Sequence, residues 1–144
     1  MMKIVVTTIL IFFAAIQPIK AESVRAASPE ALAQQFVMHF KAKDIDAILT
    51  LFRLDGVDDK TRDSLKMHIS SEFGKNAGKP VIKTEPYTGP TVYTLQDVTY
   101  EMDPTRKGMI DFPFEENKSG VTSLSLHYGE KDNSYYFVTA IPKK

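Results

Sequence analysis

The hydrophobic period of this chain changes once, between Asn76 and Pro80, and that change limits the folds open to it. Before it, apolar residues recur at intervals of three and four, the spacing of a helix with one buried face. After it, Val, Ile, Thr, Tyr and Phe dominate short runs separated by turn residues, the pattern of strands. Ser28 as an N-cap, Pro29 at the first helical position and Glu30 in the first turn predict a helix to about Ala42, with Leu32, Phe36 and Phe40 on its apolar stripe. Asp44 predicts the cap of a second helix carrying Ile45, Ile48, Leu49 and Phe52, which Gly56 closes. Asp58 or Asp59 opens a third, with Leu65, Ile69 and Phe73 at spacing four and a left-handed turn at Gly74. Beyond the break, strands are expected at about 81 to 87, 92 to 102, 107 to 115, 121 to 128 and 135 to 141. Pro104 is read as a hairpin connection, and Gly129 to Ser134 as the link into the last strand. Helices first and antiparallel strands second give the segregated α+β class: a curved sheet with its helices on one face.

Residues 1 to 21 stand apart from this pattern. Lys3 precedes an apolar run from Ile4 to Ile16, which ends in Pro18 and the small Ala21, as in a secretory leader cleaved ahead of Glu22. The apolar core is shorter than the roughly 20 residues that span a bilayer. Removing 21 of the 144 residues leaves 123 in one expected domain, 22–144, and the expected location is the periplasm or the exterior. The chain has no cysteine, so disulfides, thiol catalysis and lipid attachment to a cysteine are excluded and folding rests on the core. Without Lys3 and Lys20, 16 cations face 18 acids, a formal charge of minus two. Signs are interspersed, which gives no basic face for nucleic acid or an anionic membrane. Asn117, Lys118 and Ser119 form a glycosylation sequon of the kind that arises by chance.

The helix order, the Ser28-Pro29-Glu30 start, the tight Lys43-Asp44-Ile45-Asp46 entry and the closing pair Leu126-His127-Tyr128-Gly129-Glu130 and Tyr135-Tyr136-Phe137 together resemble the NTF2-like, cystatin-like α+β cone superfamily. The resemblance covers nearly all of the chain after the leader and is one of layout. It implies a cone whose mouth can become a pocket, lined by the concave sheet and the helix stripes. The superfamily includes ketosteroid-isomerase-like and polyketide-cyclase-like enzymes, transport and scaffold factors, and small exported domains. Members often pair through the sheet, so a homodimer is also implied.

An isomerase-like site would need a carboxylate or imidazole to move a proton and a hydroxyl to stabilise an oxyanion. Asp97, Asp111, His39 and His127 offer the first, and Tyr93 or Tyr100 the second. Alternation sets Asp111 with Met109 and Pro113, opposite Ile110, Phe112 and Phe114, and so predicts that it faces solvent. His127 shares a face with Ser123 and Ser125; if the polar face is the concave one, these three form a row of donors and acceptors for a ligand. No His, Asp or Glu spacing matches a metal site, and no motif calls for a cofactor. Two readings result. One is a non-enzymatic exported domain that binds a small apolar ligand or a protein partner through the cone pocket or sheet face, with His127, Tyr93, Tyr100 and Asp111 as candidate contacts. The alternative is an isomerase- or cyclase-type enzyme that works by proton transfer inside the cone.

Overall fold

Three capped helices lead into the strands in the computed structural model, which describes residues 25–115 and 122–143. The expected leader and the sequon lie outside the described residues. Helix α1, Pro29–Lys41, starts where the Ser28 hydroxyl accepts from the Ala31 amide at 3.1 Å, and it buries Leu32, Ala33, Phe36 and Phe40. Helix α2, Ile45–Leu49, is capped by Asp44 but stops short of Phe52. The chain leaves the helix there because Phe52 bridges Phe137, with the Phe137 amide donating to the Leu51 carbonyl at 2.9 Å. Helix α3, Asp59–Ser70, is capped by the Asp58 carboxylate on the Thr61 amide at 2.7 Å. The expected left-handed turn at Gly74 is absent. Among the described glycines it is Gly56, with φ +81°, that takes that conformation.

Eight strands follow: β1 Asn76–Ala77, β2 Val81–Thr84, β3 Val92–Leu95, β4 Val98–Asp103, β5 Arg106–Glu115, β6 Ser123–Lys131, β7 Ser134–Phe137 and β8 Thr139–Pro142. Strands β1 and β2 both pair with one side of β5, β6 pairs with its other side, and β7 pairs with β6. A smaller sheet runs β3-β4-β8. All of these pairings are antiparallel. The class is therefore α+β, with the helices on a strongly curved antiparallel sheet.

The curvature arises where one stretch of chain serves both sheets. The run expected as one strand from 135 to 141 breaks at Val138: β7 stays with β6 while β8 joins β4. Pro104 does separate two strands, but β4 and β5 do not pair, so the connection turns a corner between sheets rather than closing a hairpin. Gly129 is required there, because a Cβ would lie 2.1 Å from the Thr105 carbonyl oxygen. The strand expected from 92 to 102 is in fact the β3–β4 hairpin, which turns on Gln96 and Asp97, both with positive φ (48° and 61°). Asp97 tolerates the left-handed region, but neither residue is Gly, Asn or Pro, so the turn signal in the sequence was a weak one. Asp132 and Asn133 form a second such turn inside the segment expected as a longer link, and β6 extends to Lys131.

Alternation on β5 and β6 holds as expected. Ile110, Phe112, Phe114, Leu124 and Tyr128 face the helices and are buried. Phe36 of α1 lies 4.3 Å, centroid to centroid, from Phe112 and 5.6 Å edge-on from Phe137, and Phe52 also meets Phe137. Each such ring contributes roughly 1.5–3 kcal/mol through burial. At the corner, the buried Asp103 carboxylate accepts from Arg53 Nε and from Lys131 Nζ, each at 3.2 Å, so one acid joins the α2–α3 link, β4 and β6. Phe36→Ala or Phe112→Ala should cost about 3–5 kcal/mol in urea unfolding through the cavity each leaves. Asp103→Ala should cost about 2 kcal/mol, since Lys131 and Arg53 lose this buried acceptor and Arg53 keeps only the exposed Asp132. A loss under 1 kcal/mol at Phe36 would contradict its central place.

Candidate functional site

The side of the main sheet that faces α1 is filled. Phe36, Phe40, Phe112, Phe137 and Tyr128 are each no more than 2 % exposed and close over one another there. A ligand chamber at that position would require these rings to part. The polar row of β5 and β6 lies on the opposite face, turned away from the helices.

On that outer face Asp111 is paired on both flanks. Ser125, its register partner on β6, donates to it at 2.5 Å, and Lys83 of β2 reaches it at 2.6 Å. Those two hydrogen bonds hold the Asp111 carboxyl below the ordinary carboxylate range, the Lys83 bond most strongly, and the same contact raises the Lys83 ammonium. A carboxylate held ionised by an ammonium is a weak proton acceptor near neutral pH. His127 lies two residues beyond the Asp111–Ser125 pair, opposite Met109, largely open to solvent but with its ring partly covered. Partial burial, then the positive charge of Arg106, lowers its pKa below 6.5, against a bond to the Gly108 backbone that raises it. Arg106 itself donates to Glu85 at 3.3 Å and lies over the Tyr87 ring.

Tyr93 and Tyr100 belong to the other sheet. They are register partners on β3 and β4, stacked with centroids 5.8 Å apart. The structure thus divides the four candidates into two pairs: Asp111 with the neighbouring His127 row on the main sheet, and Tyr93 with Tyr100 on the small one. Asp97, also a candidate acid, sits exposed in the hairpin turn. His39 lies on α1, partly buried.

Tyr93 and Tyr100 are only part of a larger apolar face on the hairpin. Paired residues share a face, so Tyr93, Leu95, Val98 and Tyr100 form one apolar surface on the β3–β4 arm. Leu95 is 59 % exposed, and every residue of β3 is exposed. The signal was present in the sequence: from Pro86 to Gln96 there is no charged residue, in a chain that is 25 % charged. Surface depressions lie elsewhere. One, of about 480 Å³, is lined by Asp46, Thr50, Arg53, Arg62 and Tyr136; another, of about 300 Å³, lies beside Glu101, Asp103 and Lys131. No group of His, Asp and Glu among the described residues is arranged to hold a metal.

No family model matches the chain, and no curated protein sequence does. Among solved structures, a protein from Thiobacillus denitrificans described as a calcium/calmodulin-dependent protein kinase type II association domain is similar to it, with 13 % sequence identity and a TM-score of 0.41, over 84 % of this chain and 99 % of that one.

Both Asp111 and His127 tie stability to acid. Each has a folded-state pKa below its unfolded value, so the stability it contributes is complete above that unfolded value and is lost as pH falls through the folded one. For His127 the loss begins below about pH 6.5, and for Asp111 below about pH 4. In NMR titration His127 should have its midpoint below 6.5, and Arg106→Gln should move that midpoint upward. An unchanged midpoint would mean that the Arg106 charge does not act on the ring.

Proposed function

We propose that this protein is an exported binding domain of the NTF2-like, α+β cone type, which engages a protein partner through the apolar face of its β3–β4 arm. The observation that carries this reading is the exposed set Tyr93, Leu95 and Val98, backed by the half-buried Tyr100, on a hairpin whose outer strand is exposed throughout. Contiguous apolar surface of this kind on a water-facing arm is costly to leave bare and suits an uncharged, apolar contact surface. Export is supported by the leader-like Lys3 to Ala21 segment.

The small-ligand version of this reading places the ligand in the cone pocket or on the sheet face, and in the first of these places the aromatic rings already fill the space. The isomerase-like alternative calls for an inward carboxylate or imidazole beside a tyrosine hydroxyl. Asp111 and His127 lie on the outer face, with Lys83, Ser125 and Arg106 as their charged and polar neighbours, and Tyr93 and Tyr100 are on the other sheet. Both observations weigh toward a protein partner.

A photo-crosslinking side chain placed at Leu95 in the native host should give a discrete protein adduct in the exported fraction, whereas the same group at Lys60 on α3 should not. Val98→Lys should reduce the Leu95 adduct at least fivefold. An equal yield at Lys60, or indifference to Val98→Lys, would contradict the assignment of the arm as the binding surface.

A further inference from the structure

The free edge of β3 is a separate feature from the face just described. In the two-residue hairpin at Gln96–Asp97, the flanking Leu95 and Val98 form a hydrogen-bonded pair, and such pairs alternate along the ladder. Tyr93–Tyr100 is then the next hydrogen-bonded pair, and the Met102 amide donating to the Thr91 carbonyl at 2.8 Å continues the series. The backbone N–H and C=O groups of Val92 and Thr94 therefore point away from β4, along an edge on which no described strand pairs.

Exposed edges are usually blunted by a lysine, a bulge or a proline within the strand. This one has none of these: Val92, Tyr93, Thr94 and Leu95 pair with β4 in unbroken register, and the uncharged stretch from Pro86 to Gln96 contains the whole strand. Charge decides which occupant suits it. A two-fold axis would bring the strand against itself, so any charge near its centre would meet its own like, and here there is none.

We infer that two copies of this protein pair antiparallel through β3, with Tyr93 on the two-fold axis. In that register Val92 lies opposite Thr94 of the partner subunit, and the two residues exchange both backbone bonds, so every outward group of Val92 and Thr94 is used. Tyr93 faces the partner subunit's Tyr93 on the side that already carries the Tyr93–Tyr100 stack, and the two aromatic pairs form one row across a six-stranded sheet. Five paired residues a side, Thr91 to Leu95, bury less than the roughly 1,200 Å² at the low end of standard interfaces, so the dimer is weak and forms with rising concentration. The inference rests on the preceding reading only in treating the arm as an interaction element. The edge serves the second copy, and the apolar face remains open on the joined sheet.

The chain has no cysteine, which makes single-cysteine cross-linking unambiguous. Oxidised Tyr93→Cys protein should form a disulfide-linked dimer, whereas Leu95→Cys, placed opposite Thr91 of the partner subunit, should yield at least tenfold less. Sedimentation of the unsubstituted protein should show a concentration-dependent dimer. Thr94→Lys should weaken it at least tenfold without changing the thermal midpoint. Equal cross-linking at positions 93 and 95, or a monomer across the concentration range, would overturn the inference. A monomer that still gave the Leu95 adduct with another protein would overturn self-pairing and leave the binding reading standing.

Discussion

Phe36 is the residue on which the rest of the molecule depends. It stands on the buried stripe of α1, stacks within 4.3 Å of Phe112 in the long central strand and meets Phe137 edge-on just before the chain changes sheets. In a chain with no cysteine to tie these elements together, aromatic packing must hold helix, central sheet and corner in one arrangement. The same packing has a functional consequence. It fills the space between α1 and the sheet, and so bears on the proposal that interaction takes place on the outside of the molecule.

The second constraint is the corner. Strands β4 and β5 are consecutive but lie in different sheets, as do β7 and β8 and also β2 and β3, so the small sheet is joined to the main one by three covalent crossings. The Asp103 carboxylate, held by Arg53 and Lys131, fixes the β4–β5 crossing against the α2–α3 link and β6. Thr139 at the β7–β8 crossing donates its hydroxyl toward the Arg53 and Asp103 carbonyls. This shared anchoring holds the base of the β3–β4 arm, while its tip, with Leu95 and Val98, projects uncovered.

Much of this was legible in the sequence where one rule governed each residue. Helix caps at Ser28, Asp44 and Asp58 follow from side-chain chemistry, and alternation placed Ile110, Phe112 and Leu124 inward and Asp111 outward. What was not legible depended on tertiary geometry. Gln96 and Asp97 turn the chain without a glycine, because the pairing of Leu95 with Val98 on either side holds them in left-handed conformations. Val138 interrupts a run of strand formers because its neighbours pair with different sheets. The candidate contacts Asp111, His127, Tyr93 and Tyr100 were grouped by chemistry. The fold separates them because nothing local in the sequence says that 92–102 and 107–115 belong to different sheets.

The central claim is that the interior is complete as it stands and that partners bind outside it. Native mass spectrometry of the protein taken from its own cells tests this most directly, because a ligand held in the core would survive gentle transfer. The account predicts masses of the polypeptide alone, as monomer or dimer. A stoichiometric apolar small molecule retained on the chain, and lost on substitution of Phe36 or Phe112, would contradict it, since that molecule would occupy the space where Phe36, Phe112 and Phe137 now meet.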